Sequence, residues 1–268
     1  MARANRYYIP GYVWHITHRC HKKEFLLKFA RDRRRWLDWL FEAKKRFNLS
    51  ILNYMVTSNH IHLLIYDNTG RDVIPKSMQL IAARTGQEYN IRKQRKGAFW
   101  EDRYHATAIE KSSHLERCLV YIDLNMVRAG VVEHPKQWPF CGYNEIQDPP
   151  RRYRIIDFDN LVRLLGFTKL YDFQLAHKKW NEASLQGGRP ERESHWSESI
   201  ASGSKSFIEE VKKSLGFKAK NRSITGGKGH YQLREDVSNF GNTFLHGPEP
   251  DTRSDADTTN TFLWRDIS

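Results

Sequence analysis

The run from Asn59 to Tyr66 alternates in the manner of a β-strand and carries two histidines, His60 and His62. Successive side chains of a strand point to opposite faces, so these two histidines project from the same face, with their roots roughly 7 Å apart. Any fold of this chain that keeps the strand must therefore place two imidazoles side by side on one face of a sheet.

Two neutral imidazoles in this arrangement can hold a divalent metal ion and leave most of its coordination positions open. An open metal ion of this kind can accept a water molecule or a phosphate oxygen, which is typical of a catalytic centre. In the other interpretation one histidine packs in the core and the other is solvated. The His-x-His spacing alone does not decide between the two.

A helix is predicted from about residue 113 to 127 because four apolar residues recur at helical spacing, namely Leu115, Leu119, Ile122 and Met126. At 100° per residue, Tyr121 and Asn125 lie about 40° apart on the flank of this apolar stripe. Tyr121 can pack its ring there and turn its hydroxyl toward a cleft, and Asn125 can present its carbonyl oxygen to the same metal ion. Taken alone, Tyr121 fits an ordinary residue at the rim of an amphipathic helix better.

Four sequence blocks follow one another in order within residues 10 to 145: Pro10–Thr17, Ser58–Leu64, Phe99–Tyr104 and Tyr121–Val132. Together they resemble the REP-associated tyrosine transposases, relatives of the single-tyrosine insertion-sequence transposases of the HUH endonuclease superfamily. One departure is Met126, where that family more usually has proline after the asparagine. A proline would end the helix sharply, so this departure concerns the helix end more than the chemistry.

The resemblance implies a single-stranded DNA endonuclease and strand transferase that forms a 5′-phosphotyrosine link and acts on palindromic repeats folded as hairpins. It assigns Tyr121 as the nucleophile and the histidine pair as metal ligands, to which the helix geometry adds Asn125. The expected cofactor is Mg²⁺ or Mn²⁺, although imidazole ligands also suit Zn²⁺. His15, on the first predicted strand, is a candidate to orient these histidines, and an ordinary strand residue is the alternative.

Two other functions remain open at this point. A non-catalytic module that binds single-stranded nucleic acid would explain the charge and the aromatic residues, but not the histidine pair or Tyr121. A phosphodiesterase that uses metal-bound water would explain the histidines and leave Tyr121 without a role. The covalent adduct is therefore the feature that separates the three classes.

The net charge indicates a nucleic-acid partner. The chain has 44 Lys and Arg against 31 Asp and Glu, and residues 1–147 hold +11 of the net +13. A basic surface attracts the phosphate backbone and releases its counterions. The densest basic run, Arg31 to Arg35, is either a DNA contact or a solvated helix face. The predicted DNA-binding residues are Arg31, Arg33, Arg34, Arg35, Trp100, Arg103 and Arg128.

The pattern of the first half predicts an α+β fold, with an antiparallel sheet flanked by helices, and the resemblance makes that sheet ferredoxin-like. We predict a nuclease domain over 1–147, a helical accessory region over 148–225 that begins with a linker, and a disordered tail over 226–268. Within the accessory region, helices are expected over 157–185 and 206–215.

Cysteine usage and hydropathy favour a cytoplasmic, nucleoid-associated protein. Cys20, Cys118 and Cys141 are odd in number and form no Cys-x-x-Cys pair, so they are expected to be reduced thiols. No apolar run approaches 18 residues, and the N-terminus leads directly into a predicted strand. No membrane partner is expected, and the oligomeric state is left open.

Overall fold

In the computed structural model, which describes residues 9–68, 72–111, 113–188, 191–219, 222–227 and 229–235, seven strands form one sheet. The strands are β1 (Val13–Arg19), β2 (Ser50–Val56), β3 (His60–Tyr66), β4 (His105–Ile109), β5 (Ala201–Gly203), β6 (Arg222–Gly227) and β7 (His230–Glu235). They lie in the order β2-β3-β1-β4-β5-β7-β6. The described residues belong to one compact unit.

The helices of the described residues connect these strands and pack on the sheet. They are α1 (Ala30–Phe47), α2 (Val73–Arg92), α3 (Ser113–Asp123), α4 (Asn125–Arg128), α5 (Gly142–Gln147), α6 (Phe158–Leu164), α7 (Leu170–Gln186), α8 (His195–Glu198) and α9 (Lys205–Leu215). Short 3₁₀ turns cover His21–Lys23, Pro135–Gln137 and Gly216–Ala219.

The first four strands confirm the predicted ferredoxin-like core. β1 lies between β3 and β4 and is antiparallel to both, while β2 is antiparallel to β3 at the edge. With α1 and α2 between the strands, the chain order is βαββαβ. The hairpin of β2 and β3 turns where the sequence places Thr57, Ser58 and Asn59.

Strand pairing determines which residues of β1 lie on the same face of the sheet as His60 and His62. Thr17 of β1 pairs with His62 of β3, and Arg19 pairs with His60. Directly opposed residues of antiparallel strands project to the same face, so the histidine pair shares a face with His15 and Thr17. The alternate residues of β1, such as Ile16, are fully buried on the other face.

Helix α2 is continuous across Thr85 and Gly86, where its sequence pattern is weakest. A β-carbon at Gly86 would lie 3.2 Å from the β-carbon of Phe99, so the glycine allows Phe99 to pack closely against the helix. Burial of Phe99 there offsets the low helix propensity of glycine.

The helix predicted over 113–127 is divided in two. α3 ends at Asp123, Leu124 adopts φ −80° and ψ 7°, and α4 continues to Arg128. Met126 does not restrict the backbone as a proline would. The Arg128 amide donates to the Leu124 carbonyl at 2.8 Å. Helix α3 therefore ends before position 126 without a proline, and Met126 lies in the first turn of α4, where a proline would also be tolerated.

The C-terminal half departs from the prediction in three places. The helix expected over 157–185 is interrupted at Gly166, whose φ of +78° ends α6 before α7 begins. The accessory region is not only helical, because β5 pairs in parallel with β4 and extends the sheet. The expected linker is anchored, since the buried Glu145 carboxylate accepts from the amides of Ile155 and Ile156.

The prediction of disorder from residue 226 is wrong for residues 226, 227 and 229–235. β6 and β7 form an antiparallel hairpin, and β7 also pairs with β5. Leu233 is fully buried, Ile224 and Tyr231 pack against the core, and the pairing of β7 with β5 joins the hairpin to the sheet. Residues 236–268 lie outside the described residues.

In the described part of the chain, no helix is both long and apolar enough to cross a membrane. Cys20, Cys118 and Cys141 are buried free thiols, in agreement with their prediction as unpaired cysteines. Burial raises the pKa of the Cys20 and Cys141 thiols to about 12, so neither is poised as a thiolate nucleophile.

Candidate active site

The two strand histidines lie next to each other, with ring centroids 5.0 Å apart and planes nearly perpendicular. His62 is buried and His60 is partly buried. Burial, aided by the positive charges of nearby arginines, lowers the pKa of His60 to about 4. Burial and the neighbouring His60 lower the pKa of His62 well below its ordinary value. Both rings are therefore neutral near pH 7, the state that a metal ligand requires.

A hydrogen-bond chain determines which nitrogen of His62 carries the proton. His15 Nδ1 lies 2.6 Å from the Trp196 carbonyl oxygen, which only accepts, so His15 donates from Nδ1. Burial lowers the pKa of His15 to about 4, and its Nε2 is therefore an acceptor. It faces His62 Nδ1 at 2.9 Å, so His62 donates from Nδ1 and keeps a lone pair on Nε2.

His60 has the same tautomer through different partners. Its Nδ1 lies 2.7 Å from the Asn59 side-chain oxygen, which accepts the proton. The amide of Asn59 is held in this orientation because its nitrogen donates to the Lys23 carbonyl at 3.2 Å. Both histidines thus present an unprotonated Nε2, and each Nδ1 is held by a second residue.

Asn125 reaches the histidine pair from the helix side. Its amide nitrogen lies 2.9 Å from His62 Nε2, at the start of α4. The predicted proximity of Asn125 to the histidines is thus present in the structure, although a break in the helix separates it from Tyr121. Among the described residues, no group of three or more His, Cys, Asp or Glu side chains is placed to hold a metal ion.

These residues fit a divalent cation of open coordination. Two neutral imidazoles with oriented Nε2 lone pairs and one amide side chain are borderline ligands that leave positions for oxygen donors. The hydrogen bond between Asn125 and His62 Nε2 occupies the same lone pair that would bind a metal, so metal binding requires the amide to turn away.

Tyr121 lies on α3 against the same histidines. Its ring centroid is 6.1 Å from those of His15 and His62, and both pairs are close to perpendicular. The Arg128 guanidinium stacks over the ring at 4.0 Å and donates to the Tyr121 carbonyl at 2.5 Å. Burial raises the pKa of Tyr121, while the charges of Arg128 and Arg192 and a hydrogen bond to Ser197 oppose the rise.

The expected exposure of the Tyr121 hydroxyl to an open cleft does not hold. Only 6% of the residue is exposed, because α8 covers it. Trp196 of α8 is fully buried, and its ring lies 6.1 Å from that of Tyr121. The sequence around residue 196 has no periodicity or motif that points to this contact, so sequence reasoning missed it.

A buried polar network holds α3, the helix that carries Tyr121, in place. Asp123 is fully buried, accepts from Asn53 at 2.9 Å and contacts His177 Nε2 at 2.7 Å. His177 belongs to α7, in the predicted accessory region. The accessory region thus contributes directly to the position of α3.

We expect Asp123→Asn to lower the free energy of unfolding by about 3 kcal/mol, because it disrupts a buried, hydrogen-bonded pair. Urea denaturation followed by circular dichroism measures this loss. The exposed Asp159→Asn is the matched control, with an expected change below about 0.5 kcal/mol. Equal midpoints for the two variants would contradict the structural role of the network.

The predicted basic run divides into two groups. Arg31 and Arg34 are exposed, as a DNA contact requires. Arg33 is buried, donates to the carbonyls of Leu27 and Lys28 and stacks on two aromatic rings, so its prediction as a DNA-binding residue is wrong. Arg35 forms an ion pair with Glu88 at 2.5 Å, which leaves its guanidinium engaged within the protein.

The other predicted DNA-binding residues lie outside the basic run. Trp100 stacks on His18 with ring centroids 4.1 Å apart, and its indole nitrogen donates to the Ala82 carbonyl. Arg103 is exposed in the turn before β4. Arg128 is partly buried over Tyr121, within the candidate active site itself.

A family model matches the part of the chain that carries this site. Residues 9–125 match the family model of IS200-like transposases, and the match includes the histidine pair, Tyr121 and Asn125. The matched residues, less than half of the chain, are thus similar to the IS200-like transposases. This similarity indicates a DNA-cleaving and DNA-rejoining enzyme.

Solved structures that are similar to part of this chain include the following two. A REP-associated tyrosine transposase bound to a REP hairpin is 21% identical, with 54% of this chain and 84% of that chain covered and a TM-score of 0.47. A putative transposase from Deinococcus radiodurans R1 is 16% identical, with 41% and 87% covered and a TM-score of 0.32. No curated protein matches the chain.

Proposed function

We propose that this protein is a transposase, a metal-dependent single-stranded DNA endonuclease and strand transferase that forms a 5′-phosphotyrosine intermediate on hairpin-forming palindromic repeats. The observation that carries the proposal is the contact of Tyr121 with His62, within a site where both strand histidines present unprotonated Nε2 atoms. A metal-binding pair and a potential oxygen nucleophile thus occupy one pocket.

In this proposal His60 and His62 hold a divalent ion, Mg²⁺ or Mn²⁺, through Nε2, and Asn125 adds its amide oxygen. When bound, the ion neutralises charge on the scissile phosphate and orients it. His15 positions His62 through the hydrogen bond between their rings, as residues behind a metal ligand commonly do.

Tyr121 supplies the nucleophilic oxygen. As its oxygen forms a bond to phosphorus, the bond from phosphorus to the 3′ oxygen breaks, and the departing strand takes a proton to become a 3′-hydroxyl. Arg128 and Arg192 favour the tyrosinate because their positive charges oppose the effect of burial on its pKa. A 3′-hydroxyl of another strand can then displace Tyr121, so rejoining needs no nucleotide cofactor.

DNA entry requires a change at α8, because Trp196 covers the Tyr121 ring in the described conformation. We place phosphate contacts at the exposed or partly exposed Arg31, Arg34, Arg103 and Arg128, and a base contact at Trp100. Hairpin DNA as the substrate remains the part of the proposal that comes from the resemblance of the sequence blocks.

A labelled single-stranded hairpin incubated with the protein and Mn²⁺ and run on a denaturing gel tests the proposal. A covalent protein–DNA adduct is the expected product. Cleavage without an adduct would instead indicate a phosphodiesterase that uses water. A mobility shift on a native gel without cleavage would indicate a binding module.

The contact between His15 and His62 leads to a separate prediction. We expect His15→Leu to weaken Mn²⁺ binding by about 10- to 100-fold, because His62 loses the acceptor that orients it. His15→Gln keeps an acceptor and should recover part of that affinity. Titration of adduct formation against Mn²⁺, with calorimetry alongside, measures the effect, and equal titration curves for wild type and His15→Leu would contradict it.

A further inference from the structure

The loop between β1 and α1 presents two aromatic side chains to solvent. Phe25 is 65% exposed and Phe29 is 57% exposed, while Leu26 and Leu27 between them are buried. The loop is therefore anchored by its middle residues and turns its aromatic residues outward. Exposed aromatic residues on an anchored loop commonly mark a binding surface.

The positive charge around Phe25 and Phe29 favours a negatively charged partner. Residues 19–31 contain five basic residues and one acidic residue. The Lys93 ammonium lies 5.4 Å from the centre of the Phe29 ring. A second copy of this basic chain would bring like charges together, whereas single-stranded DNA offers bases that stack on the rings and phosphates that pair with the lysines.

The same loop is joined to the candidate active site. The Cys20 amide donates to the Asn59 carbonyl at 2.8 Å, and the Leu27 amide donates to the Ser58 carbonyl at 2.9 Å. Asn59 is also the residue whose side chain orients His60. A DNA strand that passes from His60 and His62 over the turn between β2 and β3 therefore reaches this loop next.

We propose that Phe25 and Phe29 form a base-stacking surface for the single-stranded DNA that flanks the cleavage site. The proposal rests on the proposed function, because it extends the path of a strand that is held at His60. Stacking on these rings does not require a particular base, so the surface adds affinity and holds the strand in place without reading its sequence.

Fluorescence anisotropy with labelled oligo(dT) tests the surface independently of cleavage. We expect Phe25→Ala/Phe29→Ala to raise the Kd for oligo(dT) about tenfold or more, and Phe25→Trp/Phe29→Trp to retain wild-type affinity. Tyr171→Ala removes an aromatic side chain that is 67% exposed on α7 and is expected to change nothing. Both phenylalanines are largely exposed, so the fold should survive these changes.

Equal oligo(dT) affinity for the wild type and the double alanine variant would overturn the inference, as would no binding by the wild type. Sedimentation that showed self-association lost in the double variant would instead make the surface a contact between copies, and would also overturn it. Failure of the proposed function has a different signature, because oligo(dT) binding would remain sensitive to the phenylalanines while no covalent adduct formed.

Discussion

Tyr121→Phe is expected to abolish the covalent adduct and to reduce strand cleavage by about a thousandfold or more, as when covalent catalysts lose their nucleophile. The substitution removes one oxygen and keeps the ring. The contacts with His15 and His62 and the stacking of Arg128 are made by the ring, which phenylalanine keeps, so packing should persist. The lost hydrogen bond to Ser197 should lower the free energy of unfolding by about 1 kcal/mol.

Quenched single-turnover assays with Mn²⁺ measure the cleavage rate, and anisotropy checks that DNA binding persists. Tyr143→Phe is the matched control, because Tyr143 is also buried and aromatic but packs beside His134 and His177, away from the strand histidines. Its adduct yield should equal that of the wild type.

Mass spectrometry of a trapped wild-type adduct adds a direct assignment. The nucleotide is expected on the peptide that spans residues 118–128. A nucleotide on Tyr104 or Tyr143 would contradict the role of Tyr121 and leave the class of enzyme unchanged.

The core strands and the pairing of site residues were predictable from local pattern. The alternation through residues 59–66 indicated β3, and the register of β1 and β3 then made the shared face of His60 and His62 a geometric necessity. Helical periodicity brought Tyr121 and Asn125 to the same side, and the break at Leu124 did not separate them from His62.

The contacts by which α8 covers the candidate active site could not be predicted from local sequence patterns. α8 is a four-residue helix whose contacts with His15 and Tyr121 come from more than 70 positions away in sequence. Short elements of this kind leave no periodicity, and their place depends on β5 continuing the sheet beside β4. The role of His15 was underrated for the same reason, because its carbonyl partner belongs to that distant segment.

The basic run shows a further limit of pattern reading. Net charge identifies a basic surface, but it does not distinguish a solvated arginine from one that supports the fold. Arg33 is fixed by two backbone carbonyls and two aromatic rings, and Arg35 by the carboxylate of Glu88. Those partners are set by tertiary contacts, which the run of arginines does not encode locally.

His60→Ala and His62→Gln are each expected to remove detectable adduct formation, because a single imidazole holds a divalent ion too weakly for catalysis. Binding to single-stranded DNA should persist in both variants, since it depends on a dispersed basic surface. His60 is partly exposed, so its alanine variant should retain the fold. For the buried His62, glutamine keeps polar atoms near His15 and limits the loss of stability.

Calorimetric titration with Mn²⁺ separates the metal assignment from a general loss of structure. Affinity should fall strongly in each single variant and be undetectable in the double variant, while the partly buried His134→Ala, which faces Glu182, should bind as the wild type does. Unchanged Mn²⁺ affinity in the double variant would contradict the metal site. Because Tyr121 is intact in all of these proteins, that result together with a persistent adduct would mean that the tyrosine reacts without a cation held by β3.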